Sequence, residues 1–88
     1  MEFTENKVLE DWEQRLVDEM KDLKDKMEKL SEWLFDYEMS TSDDDFDPIL
    51  ATLMKSQLDA MATYMDCMVA RCFHLEIGFV INDIFKED

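Results

Sequence analysis

Gln57, Tyr64 and Arg71 recur at intervals of seven residues, a spacing that returns to nearly the same side of an α-helix. An amide, a phenol ring and a guanidinium on one stripe can hydrogen-bond, stack and bind an anion. Arginine's planar fork suits phosphate, and a tyrosine ring stacks on a base. A second set lies earlier in the chain, where Arg15 and Lys26 flank the Leu16–Leu23 seam with Glu19 between them. Arg15 and Arg71 are the only two arginines. Arg15 has Asp11, Asp18 and Glu19 within a turn, whereas the positions three and four from Arg71 are Cys67, Met68, His74 and Leu75. An arginine set in an apolar helix must be paired or hydrated.

Other reactive residue types point to less. Cys67, Cys72 and His74 are three groups without a fourth and without the close cysteine pair of zinc sites. The two cysteines, five apart, fall on different faces of a helix and beyond disulfide reach, so two free thiols are expected. Asp43, Asp45 and Asp47 have the alternating spacing that opens an EF-hand loop, but Pro48 stands where glycine is needed and Met54 where glutamate is needed. Glu10/Glu13 and Asp22/Asp25 are spaced like the Mg²⁺-holding carboxylates of all-α nucleotide pyrophosphatases. They share one lysine-rich helix with no acidic partners opposite, which reads as a solvated face. No Gly-rich phosphate loop, HExxH or G-x-S-x-G motif occurs. The reading is a binding protein without catalytic residues, metal or cofactor.

The elements that carry these residues are helical. From Leu9 to Tyr37 the apolar positions step by three or four, and from Met54 to Phe79 they do so again. The fold class expected is all-α: an antiparallel two-helix hairpin, with helix 1 about 5–37, an acidic turn 38–47, helix 2 about 48–77 and an apolar extension 78–88. Thr4 is placed to cap helix 1, with Phe3 stapling onto Val8. Asp47 and Pro48 suit the N-cap and first position of helix 2. Asp11/Arg15, Asp22/Lys26 and Asp25/Lys29 form pairs four residues apart, each contributing only a few tenths of a kcal/mol. With a turn centred near residue 42 or 43, Arg15 and Arg71 should face each other. Arg71 then either bridges to Glu19 or joins Arg15, Lys26, Gln57 and Tyr64 in a pocket for an anionic ligand.

Composition bounds the rest. The chain has 88 residues and a formal charge of −14, with one glycine and one proline. That length excludes a doubly wound sheet or barrel enzyme, and the charge excludes an open cationic surface for nucleic acid. Residues 1–47 carry 17 acids and six bases, whereas residues 48–88 carry six and three. Helix 2 is therefore apolar over most of its circumference, with Met54, Met61, Met65 and Met68 among its seam residues. One partner helix cannot cover it, so assembly into an oligomeric helical bundle is expected, with the extension prolonging helix 2 or docking on a neighbouring subunit. No stretch reaches the ~20 apolar residues of a membrane span, and the first residues lack the pattern of a secretory signal. A cytoplasmic protein follows.

The residues from Arg15 through Glu19, Leu23, Lys26 and Leu30, followed by Leu53, Gln57, Met61, Tyr64, Met68 and Arg71, form a pattern that resembles small bacteriophage proteins. These are the helical-hairpin proteins related to a gene product of the first cultured crAss-like phage. The resemblance spans residues 12–75 and implies a phage accessory protein of the bacterial host cytoplasm. Two functions are open. One is a sponge that sequesters a cyclic nucleotide or ADP-ribose-type immune signal, as compact helical anti-CBASS and anti-Thoeris proteins do. The other is an acidic inhibitor or DNA mimic that uses Asp43, Asp44, Asp45 and Asp47 to occupy a basic host protein, as some anti-CRISPR proteins do.

Overall fold

The computed structural model describes residues 8–86. Two long helices, α1 (Asp11–Ser40) and α2 (Pro48–His74), are followed by a single-turn helix α3 (Val80–Ile84). The molecule is a rod of 61 × 24 × 20 Å.

Each helix boundary has a local cause. Helix α1 begins at Asp11, later than the expected residue 5: Val8, Leu9 and Glu10 are non-helical, and Glu10 is the N-cap. The Glu13 carboxylate accepts the Glu10 backbone N–H at 2.9 Å in a capping box, which satisfies one of the donors a helix start leaves unpaired. The expected Thr4 cap and Phe3 staple lie outside the described residues. Helix α1 also runs past Tyr37 to Ser40. The acidic segment after it folds back on an aromatic stack in which Trp33 lies 4.9 Å from Tyr37, and Tyr37 5.2 Å from Phe46. The Tyr37 hydroxyl accepts the Asp47 backbone N–H at 2.9 Å. Asp47 then caps α2, its carboxylate accepting from the Ile49 and Leu50 N–H groups at 3.0 and 3.1 Å, with Pro48 at the first helical position.

The core is concentrated at the end away from this turn. Leu16, Val17, Met20 and Leu23 of α1 pack on Met65, Met68 and Cys72 of α2, and Ile77, Val80 and Ile84 complete the cluster. Residues 77–84 thus neither prolong α2 nor leave the subunit. They turn back and seal the open end of their own hairpin. The reversal is a helix-terminating motif in which Ile77 N–H donates to Cys72 O at 2.9 Å and Glu76 N–H to Phe73 O at 3.1 Å. Glu76 occupies the left-handed region with φ 61°. Gly78 follows because a side chain there would meet the Phe73 ring, two of whose atoms lie 2.8 Å from an added Cβ.

Toward the turn the hairpin is only two helices thick, and Leu34 and Ala51 are the buried residues there among those described. Pairing with α1 leaves Ile49, Leu50, Leu53, Tyr64 and Phe73 of α2 exposed. On α1, Asp22–Lys26 and Asp25–Lys29 form ion pairs at 3.0 Å, as spaced, and Lys24–Glu28 adds a third.

Candidate functional site

The phase of each helix places the five candidate residues on one side of the rod. A shallow groove of about 690 Å³ on the other side is floored by Met27, Leu58 and Ala62 and rimmed by Glu28, Glu32 and Asp59. Two residues along a helix turn the chain by about 200°. Lys26 is therefore opposed to Glu28, Gln57 to Asp59, and Tyr64 to Ala62. Arg15 precedes Lys26 by 11 residues, three nearly whole turns, and shares its stripe. The groove side is acidic. The other side carries Arg15, Lys26, Gln57, Tyr64 and Arg71 together with the acids Glu19 and Asp22, all exposed.

Their levels along the rod differ from expectation. The buried Cys72 thiol donates to the Met20 thioether at 3.5 Å, and Lys55 pairs with Glu38 at 2.8 Å. Partners across the hairpin therefore have numbers totalling 92 or 93, not the 85 that a turn near 42 implies. The shift arises because α1 continues to Ser40 and the turn is built around Phe46 and Asp47. Arg71 then lies level with Lys21, six residues from Arg15, or roughly 9 Å along the axis. The arginines do not face each other. Tyr64 lies nearly level with Lys26, and Gln57 sits one heptad further toward the turn. The five residues form an extended strip and not one compact pocket.

The ion-pair expectation is also corrected. Lys24, Lys26, Lys29 and Lys55 are paired. Among the described residues, Arg71 makes no bridge to Glu19, and Arg15 makes none to Asp11 or Asp18. Both guanidinium-bearing residues are exposed. Sequence reasoning overlooked Trp33, seven residues beyond Lys26 on the same stripe and 46% exposed, and Leu50 and Leu53 beside Gln57. Their own heptad spacing was the signal: Leu50 precedes Gln57 by seven residues, as Gln57 precedes Tyr64.

Asp43, Asp44 and Asp45 are exposed in the turn, where the Asp45 carboxylate accepts the Ser42 hydroxyl at 3.1 Å. Asp47 is engaged as the α2 cap. Cys67 is exposed and Cys72 buried, both as free thiols. Burial pushes the Cys72 thiol above its ordinary pKa, with the neighbouring Arg71 acting more weakly in the opposite sense. Among the described residues no group of three His, Cys, Asp or Glu side chains is placed to hold a metal ion. No helix among them is long and apolar enough to cross a membrane.

Fold and face together define a small helical-hairpin protein with a polar-aromatic strip along one side. The family model of Sequestin matches residues 10–73. That span holds α1, the turn, α2 as far as Phe73 and all five strip residues, and the chain belongs to the Sequestin family. The match ends within α2, so α3 lies outside it. No curated protein and no solved structure matches the chain.

Proposed function

We propose that this protein is a non-enzymatic sponge of phage origin that self-associates and sequesters an anionic, nucleotide-type immune signal in the host cytoplasm. The observation that carries this reading is the pair of exposed arginines without ion partners among the described residues, on a chain of net charge −14. Guanidinium groups left open in so acidic a protein are suited to phosphate. Trp33 lies on the same side and is 46% exposed, which supplies an aromatic surface for a base. The family name itself speaks of sequestering. Glu19 and Asp22 share this side; screening confines charge effects to ~10 Å at moderate salt, so the acids of the turn and the groove side do not forbid an anion here.

The test is to purify the protein from cells that make cyclic oligonucleotides or ADP-ribose signals and release bound small molecules by heat. Mass spectrometry should find an intact nucleotide, and Arg71→Ala should lose it at unchanged helicity. Absence of any retained nucleotide, together with no thermal shift across a panel of both classes, overturns the reading.

The exposed Asp43, Asp44 and Asp45 favour the second reading, an acidic inhibitor of a basic host protein. That reading requires salt-sensitive capture that weakens when these three are neutralised to asparagine.

A further inference from the structure

Helix α2 carries a second heptad seam besides the one packed on α1. It runs from Leu50 and Leu53 through Gln57, Ala60, Tyr64 and Cys67 to Arg71, in alternating steps of three and four. That pattern is the a/d spacing of a coiled-coil contact. Every one of these residues is exposed in the single chain, and Arg71 is the only charged one. Leu53 is 61% exposed and Leu50 38%, an unusual outlay of leucine on a solvated face when α1 is coated with charge.

We propose that this seam is covered by α2 of a second copy, running antiparallel about a two-fold axis. The proposal takes from the proposed function only the premise that the chain self-associates. Charge sets the direction. The acidic turn stands at one end of the rod, and Arg15 and Arg71 lie toward the other. Parallel pairing stacks Arg71 on its twin and sets two runs of Asp43, Asp44 and Asp45 side by side. Antiparallel pairing separates both like-charged sets and brings each acidic turn toward the other copy's arginine end.

The pattern narrows the register to alignments seven residues apart. Antiparallel seams place an a position against a d position. The one that seats Arg71 on the seam puts Tyr64 over the partner's Ala60, Gln57 over the partner's Cys67, Arg71 over the partner's Leu53 and Leu50 over the partner's His74. Large meets small at the centre, and the aliphatic stem of Arg71 lies on leucine while its head stays in water. Gln57 and Tyr64 are then covered by the partner, while the Arg71 head and Arg15, Lys26 and Trp33 of each copy stay exposed beside the seam.

The test uses the full chain in two arms. In sedimentation equilibrium the wild type should show twice the chain mass. Ala60→Glu, at an exposed position, should return the chain mass with unchanged circular dichroism. Gln57→Cys treated with copper phenanthroline should give a covalent dimer linked from position 57 of one copy to Cys67 of the other. A monomeric wild type overturns both this interface and the self-association premise. An oligomer that survives Ala60→Glu overturns the interface alone, and ready Cys67–Cys67 linkage in the wild type overturns the antiparallel direction.

Discussion

The Cys72 thiol donates a hydrogen bond to the Met20 thioether at 3.5 Å, and neither side chain has any exposed surface. This contact, between residues 52 apart in sequence, sets the level at which the two long helices meet. It also sets the spacing of the two arginines, since Arg71 precedes Cys72 and Arg15 lies just over a turn before Met20. Two soft, adaptable sulfur side chains fill the centre of the core, next to the exposed strip.

The two cysteines should differ sharply in reactivity. Thiolate is the nucleophile, and burial raises the Cys72 pKa while Cys67 is exposed. Iodoacetamide at neutral pH should label Cys67 in the native protein and reach Cys72 only on unfolding. Peptide mapping by mass spectrometry reads this out directly, and equal labelling rates would contradict the packing described.

The same raised pKa makes stability depend on alkaline pH. Below the unfolded thiol pKa of ~8.5 both states hold the proton, and the contribution is fully present. Above it the unfolded thiol ionises first, so the native state binds more protons and stability falls as pH rises through the folded value. Denaturant midpoints should therefore decline above about pH 8.5. The decline should be shallower in Cys72→Ala, whose overall stability is lower.

Glu76 holds a left-handed backbone with φ 61°, a conformation that costs an L-residue roughly 1–2 kcal/mol. Glycine adopts it without that penalty and favours this position of the terminating motif. Glu76→Gly should stabilise the protein by about 1 kcal/mol net of its added chain entropy. Thermal unfolding would show the gain, and a loss would mean that the Glu76 side chain has a role of its own.

Ile77 is fully buried and begins the segment that closes the open end. Ile77→Ala should cost about 2–5 kcal/mol, the range for truncating a core aliphatic. Phe73→Ala, at an exposed position, should cost much less. Urea titration of the two variants distinguishes a sealed end from an extension that contributes nothing.

Glu13 is buried at 3% exposure and holds the Glu10 N–H. Glu13→Ala should lose about 1 kcal/mol of stability, the usual cost of a lost cap. Glu13→Gln keeps an acceptor oxygen and should lose less. Amide exchange in residues 11–14 would locate the effect at the start of α1.

Much of this was written in the chain. Steps of three and four gave the two long helices, Asp47-Pro48 gave the start of the second, and seven-residue spacing put Gln57, Tyr64 and Arg71 on one side. These are local properties, because a helix's phase about its own axis depends only on residues a few positions apart. The level of one helix against the other depends on how the turn folds and where the core closes. The Tyr37–Phe46 stack and the Met20–Cys72 contact therefore decided that Arg15 and Arg71 lie on one side yet about 9 Å apart along the axis. Residues 77–84 were undecidable for a related reason: an apolar run with a single turn of helix carries no period. Only the presence of a half-closed core beside it determines that the run folds back and seals its own hairpin.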